Sequence, residues 1–290
     1  MKKMRVQFVF ILLGLLAFVP ARAGTETNSS FSPGSKKISS VEAAQKPPLL
    51  ESAASPAADA TNRFTIFMIG DSTMANKPLI PAYPERGWGQ MLPQYFRSGV
   101  RVENHAMNGR SSKSFIDEGR WDAVRGLLKP GDWVIIQFGH NDEKDKDPKR
   151  FTEPFGEFKT NLTMFVMETR ARGANPVLCT SVARRKFDEN GNVVDTHGDY
   201  IKVTREVAAE QKVPLLDLNK STDALLRQLG PEKSKAVYDW FTTNEFSGLK
   251  KNLEDDTHFN AYGASRICDF AVEEIKANVP ELAKYLNTGK

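Results

Sequence analysis

Cysteine is nearly absent: the 290-residue chain holds only Cys179 and Cys268. Two thiols cannot supply the disulfide framework that staples small exported domains. Cys179 ends an apolar run and Cys268 falls on an apolar helical face, so both are expected as buried free thiols. Histidine is scarce as well. His105, His140, His197 and His258 never stand at i, i+4 spacing, and no Cys-x-x-Cys occurs, so the usual signatures of a metal centre are missing. No Walker-type glycine-rich phosphate loop occurs either. Neither a metal nor a cofactor is expected.

Net charge is also lacking, although the formal value of +4 hides this. Four of the 40 basic side chains (Lys2, Lys3, Arg5 and Arg22) lie in residues 1–23, which hold no acid; the remaining 36 balance the 36 acids. A neutral mature chain gives no reason to expect nucleic acid as a partner. Long apolar runs are missing too, apart from one near the start. There a basic Met1–Arg5, an apolar stretch from Gln7 to Pro20 and the small-residue site Ala21-Arg22-Ala23 read as a secretory signal peptide over 1–23. The apolar core is short for a membrane span, so no stable membrane insertion is expected after cleavage. The mature protein is expected outside the cytoplasm, periplasmic or extracellular.

Residues 24–62 lack periodicity, and Ser, Ala and Pro make up 19 of the 39. They read as a disordered linker. Residues 63–290 suit one catalytic domain. Within it, apolar runs alternate with amphipathic segments. Five runs read as buried strands: 64–69, 100–104, 132–138, 176–180 and 214–217. Between and after them, helical spacing appears over 88–96, 120–128, 155–172, 199–211, 219–229 and 260–277. Residues 231–253 are hard to read. The alternation predicts an α/β fold, a three-layer α/β/α sandwich around a parallel sheet of about five strands.

The carboxyl ends of parallel strands share one edge, where such sheets bind ligands. Ser72 follows the first strand in Gly70-Asp71-Ser72. Gly109 lies in the turn after the second, and Asn141 just after the third. Asp255-Asp256-Thr257-His258 precedes the last helix, as a loop. Each has a plain reading alone: a turn residue, a solvated helix start, a capping histidine. Together, in this order, they match what acyl transfer needs. A serine hydroxyl is a weak nucleophile until a base takes its proton. His258 can be that base, and Asp255, three residues before it, can orient the ring. The backbone N–H groups of Ser72 and Gly109 and the amide of Asn141 can receive the oxyanion. Asp71 is expected to hold neighbouring loops by hydrogen bonds.

These four blocks resemble the SGNH, or GDSL-like, hydrolases. More narrowly, Gly70-Asp-Ser-Thr73, Gly87-Trp-Gly89, Asn108-Gly-Arg-Ser-Ser112, Phe138-Gly-His-Asn-Asp142, Arg184–Gly191 with His197-Gly-Asp-Tyr200, and Asp255-Asp-Thr-His-Phe259 resemble rhamnogalacturonan acetylesterases, carbohydrate esterase family 12. The resemblance spans about residues 64–275 and implies an SGNH/flavodoxin-like fold. It also implies a serine esterase that removes acetyl groups from pectic polysaccharide or oligosaccharide. Other substrates with the same chemistry are acetylated xylan, another glycan, or a lipid ester. A different class, an inactive carbohydrate-binding protein on this scaffold, is the remaining reading. Trp88 is a candidate for stacking on sugar, or a core residue. Arg110, His140 and Arg184 are candidates for substrate contact, with Arg86, Lys113, Lys144, Lys146 and Arg185 as further loop cations.

Overall fold

The computed structural model describes residues 63–80, 83–246 and 249–287. The signal peptide at 1–23 and the linker at 24–62 lie outside the described residues.

In chain order the strands are β1 (Phe64–Gly70), β2 (Glu85–Arg86), β3 (Val100–Asn104), β4 (Trp133–Gln137), β5 (Asn175–Cys179), β6 (Leu215–Leu216), β7 (Tyr238–Phe241) and β8 (Leu253–Asn260). The helices are α1 (Trp88–Met91), α2 (Ser112–Asp117), α3 (Arg120–Leu127), α4 (Lys159–Ala171), α5 (Asp199–Glu210), α6 (Leu218–Lys233), α7 (Ala261–Asn278) and α8 (Pro280–Ala283).

Five strands form a parallel sheet in the order β3-β1-β4-β5-β6. β1 is the second strand of that order because the chain reverses about it: β3 pairs on one side and β4 on the other. A crevice opens at such a reversal of strand order, beyond the carboxyl ends, and β1 delivers Ser72 to it. Alternation along β1 feeds both layers. Ile66 and Met68 join the core under α1, α6 and α7, with Trp88, Leu226, Ile267 and Ile275. Phe67 and Ile69 join the opposite core under α2 to α5, with Phe115, Trp121, Phe165 and Val203. Each such fully buried apolar side chain contributes about 1.5–3 kcal/mol relative to exposure. Cys179 and Cys268 are both buried and free, and burial pushes both thiols up.

A second, antiparallel sheet in the order β2-β8-β7 was not foreseen. It places Asp255 and His258 on strand β8, where a loop was expected. β7 and β8 pair with a register shift between Tyr238 and Asp239. Asn260 closes the strand: its Nδ2 donates to the carbonyls of Ala236 and Tyr238, and its Oδ1 accepts from the Gly263 N–H at 2.9 Å, starting α7. His258 is therefore fixed two residues from a helix cap. Among the described residues no helix is long and apolar enough to cross a membrane.

Candidate active site

Ser72 sits in the turn that leaves β1. Asp71 starts this turn, accepting on its carbonyl from the Met74 and Ala75 N–H groups at 3.3 and 3.0 Å. Trp88 N–H donates to the Thr73 carbonyl at 3.0 Å, and a side chain at Gly87 would collide with the carbonyl of Ala75. The glycine thus lets a second segment brace the serine turn.

From β8, His258 reaches that turn. The Ser72 hydroxyl lies 2.7 Å from His258 Nε2, and His258 Nδ1 lies 2.8 Å from Asp255 Oδ2. With Nδ1–H donating to the carboxylate, Nε2 carries the lone pair that accepts from the serine. Asp255 is itself held in place, since its Oδ1 accepts from the N–H groups of Thr257 and His258 at 2.7 and 2.9 Å. Burial pushes its carboxyl up, but the His258 hydrogen bond, the His258 charge and those two N–H groups outweigh it and hold it well below the usual range. Burial opposes the His258 cation, but the Asp255 hydrogen bond and the charges of Glu85 and Asp255 outweigh that and raise its pKa. Such a series can take the serine proton and carry it as a stabilised imidazolium.

The candidate oxyanion donors gather beside it. Gly109 has φ +75°, a left-handed turn that glycine adopts without strain. The segment before it runs along the end of β1, with Met107 N–H donating to the Gly70 carbonyl at 2.9 Å. Asn141 is buried, and one of its amide N–H groups donates to the Arg110 carbonyl at 3.0 Å. Among the described residues no protein group accepts from the N–H of Ser72 or of Gly109.

Two of the substrate-contact candidates are corrected. Trp88 is fully buried, its indole N–H bonded to Gln137 Oε1 at 2.8 Å, so it has no face to offer a sugar. His140 is buried too, its Nδ1 3.1 Å from Asp71 Oδ2 and its ring edge-on to His197. Asp71 also accepts from the Thr73 N–H and hydroxyl at 2.9 and 2.8 Å, linking the serine turn to the loop after β4. Arg110 and Arg184 remain partly exposed near Asn141, paired with Glu118 and Glu143 respectively.

Several residues escaped the reading of the sequence. The side chain of Lys77 is completely buried, with Nζ 2.5 Å from both Asn108 Oδ1 and Glu85 Oε1. Glu85 also accepts from the Tyr83 hydroxyl at 3.1 Å and comes within 4.0 Å of His258 Nε2. Asp239 is buried nearby; burial, then the charges of Glu85 and Asp255, push its carboxyl up to about 7. Arg150 lies 3.5 Å from Asn141 Oδ1. A lone lysine before a proline carries no signal of burial, and the Pro-rich loop reads as surface. Among the described residues no group of three or more His, Cys, Asp or Glu could hold a metal ion.

Comparison with known proteins places this geometry. The model of the GDSL-like Lipase/Acylhydrolase family matches residues 68–266. Rhamnogalacturonan acetylesterase RhgT of Bacillus subtilis is 42% identical over 211 residues, covering 73% of this chain and 89% of the relative. The probable rhamnogalacturonan acetylesterase YesY of the same organism is 36% identical, covering 73% and 92%. The crystal structure of YxiM from Bacillus subtilis superposes with a TM-score of 0.63 at 30% identity, over 74% of this chain and 56% of that one. The family match thus takes in the end of β1 with its serine turn and β8 with its histidine, and the chain belongs to the GDSL-like lipase/acylhydrolase family.

Proposed function

We propose that this protein is a serine esterase that removes acetyl groups from pectic polysaccharide of the rhamnogalacturonan type. The observation that carries the mechanism is the hydrogen-bonded series Ser72 Oγ, His258 Nε2, His258 Nδ1, Asp255 Oδ2, at 2.7 and 2.8 Å. Two relatives named for rhamnogalacturonan acetylesterase activity support the substrate.

Ser72 Oγ attacks the acetyl carbonyl as His258 takes its proton. The oxyanion of the tetrahedral intermediate accepts from the N–H groups of Ser72 and Gly109 and from the Asn141 amide. His258 then protonates the departing sugar oxygen, and the C–O bond breaks to leave an acetyl-serine. Water enters, gives its proton to His258 and attacks the same carbonyl. Collapse releases acetate and returns the proton to Ser72. Asp255 stays ionised throughout, as its depressed pKa requires. The steps use no cofactor. The signal-peptide reading of residues 1–23 has the enzyme act on extracellular or periplasmic carbohydrate after export.

Acetate release from acetylated rhamnogalacturonan and acetylated xylan tests the reading. The wild type is expected to prefer the pectic polymer, and Ser72→Ala to lose about 10⁴-fold or more in kcat on it. A preference for xylan would reject the pectic substrate. Near wild-type turnover by Ser72→Ala would reject the acyl-enzyme.

A further inference from the structure

We propose that Lys144, Arg150 and Arg184 form a carboxylate-binding subsite beside Asn141, so that the enzyme selects acetyl groups carried next to an acidic sugar. This rests on the acetylesterase reading and adds the residues that would set its specificity.

The three cations come from two loops and meet around the oxyanion side of the site. Lys144 N–H donates to the Asn141 carbonyl at 3.3 Å, in the turn after β4. Arg150 closes the same loop, its N–H donating to the Asp147 carbonyl at 2.9 Å. Arg184 follows β5, and its Nη2 donates to the His140 carbonyl at 3.2 Å. Arg150 stands nearest to the chemistry. Its Nη1 lies 3.5 Å from Asn141 Oδ1, and it is the atom that a side chain on Gly109 would first meet, at 3.9 Å. One guanidinium therefore overlooks two of the candidate oxyanion donors.

The charges do not cancel. Arg184 is paired with Glu143, and Arg150 Nε with Asp147 at 2.6 Å. Lys144 has neither an ion pair nor a side-chain hydrogen bond among the described residues. Burial, then the fields of Arg150 and Arg184, destabilise its charge. Residues 143–150 hold three acids (Glu143, Asp145, Asp147) against four bases (Lys144, Lys146, Lys149, Arg150), and Arg184 adds a fifth. An ammonium in the field of two guanidinium groups is stabilised by an anion. Nη2 of Arg150 has no partner among the described residues, which leaves that end of the fork to accept a carboxylate beside Nη1. A sugar whose acetyl carbonyl oxygen enters the oxyanion site would set the carboxylate of a uronic acid against this group. A neutral xylan presents nothing there to offset the repulsion.

The test uses the full-length enzyme turning over p-nitrophenyl acetate, with unacetylated oligogalacturonate as competitor. Oligogalacturonate is expected to inhibit the wild type competitively, more weakly at high salt, and its carboxyl-reduced counterpart to inhibit at least about tenfold less well. Lys144→Gln and Arg150→Gln are each expected to weaken inhibition by oligogalacturonate about tenfold, and to leave inhibition by the reduced sugar where it was. Arg150→Lys, which keeps the charge and loses the fork, is expected to fall between. Equal inhibition by acidic and reduced sugars would overturn the proposal. So would variants that bind oligogalacturonate like the wild type, or that lose only kcat on p-nitrophenyl acetate, since the latter marks Arg150 as a support for Asn141. None of these readouts needs acetate release from polymer. Failure of the pectic substrate reading, seen as no release from acetylated rhamnogalacturonan, is thus distinct.

Discussion

Two aspartate–histidine pairs flank Ser72, and they have the same chemistry with opposite outcomes. In one, Asp71 Oδ2 faces His140 Nδ1 at 3.1 Å, with both side chains almost wholly out of solvent. In the other, Asp255 Oδ2 faces His258 Nδ1 at 2.8 Å, with the histidine 26% and the aspartate 40% exposed. Burial lowers His140 to about 4, more than its aspartate can restore, so that ring is neutral at pH 7. For His258 the balance is reversed: its carboxylate neighbours outweigh burial and raise it. The remaining nitrogen differs as well. His258 Nε2 meets the Ser72 hydroxyl, whereas His140 Nε2 is buried without a hydrogen-bond partner among the described residues. A carboxylate beside an imidazole is therefore not enough to make a base. What decides is how much water the pair keeps and what the second nitrogen faces. The buried pair joins two loops, and the half-exposed pair can move a proton.

Replacing each aspartate by asparagine separates these roles, and the largest effect is expected at the exposed pair. Asp255→Asn keeps the shape but holds the wrong His258 tautomer, so kcat is expected to fall about 10⁴-fold with the denaturation midpoint little changed. Asp71→Asn can keep Oδ1 for the Thr73 N–H and hydroxyl, but puts an NH2 group in place of the Oδ2 that faces His140 Nδ1 in a dry interior. It is expected to cost about 1–3 kcal/mol of stability, read by denaturant unfolding, and to retain more turnover than Asp255→Asn. If Asp71→Asn were the more damaging to kcat while leaving stability intact, the two pairs would have to exchange roles.

The pH dependence of stability sharpens the same contrast. His140 has a folded pKa below its unfolded value of about 6.5, so its contribution is present above that value and lost as pH falls toward about 4. His258 has a raised folded pKa, so its contribution is full below about 6.5 and lost as pH rises through the folded value. The His140 effect is on the order of 3 kcal/mol at most. His140→Gln is expected to be less stable than wild type at pH 7 and to lose less of its thermal midpoint between pH 6.5 and 4.5. Parallel curves for the two proteins would show that His140 does not drive the acid loss.

The two regions were unequally legible in the sequence. The parallel sheet could be read because strands such as Trp133–Gln137 are buried on both faces and appear as unbroken apolar runs. Its order could not, since pairing partners leave no mark in a single strand. The small sheet was invisible for a different reason. β2 has two residues, and β8 carries Glu254, Asp255, Asp256 and His258, a composition that reads as a solvated loop. Ser72, Gly109, Asn141, Asp255 and His258 stood out by order and spacing, and hydrogen bonds join Ser72, His258 and Asp255 in the fold. Trp88 was open between a sugar-stacking and a core residue, and the flanking glycines admit the close packing that buries it in the core. Lys77 and Glu85 were beyond reach, because the burial of an ion pair is a property of the tertiary fold alone.

That ion pair is where the exposed histidine depends on its surroundings most subtly. Glu85 Oε1 lies 4.0 Å from His258 Nε2 and raises the histidine, while Lys77, paired with the same oxygen, lowers it. The acid limb of kcat/KM reports the free-enzyme pKa of the base, which must be neutral to accept the Ser72 proton. Glu85→Gln is therefore expected to move that limb to lower pH. Lys77→Met is expected to move it to higher pH, as Glu85 loses the cation that offsets its field. Lys77 also holds Asn108, next to Gly109. Its loss is expected to lower kcat on the plateau by less than the about 10²-fold that follows removal of an oxyanion donor. Rate profiles of both variants against pH, with p-nitrophenyl acetate, decide the matter. Opposite displacements mean that the pair tunes His258 by charge. A common displacement would mean that it only fills space behind the ring, and burial and the Asp255 contact alone would then have to account for the contrast with His140.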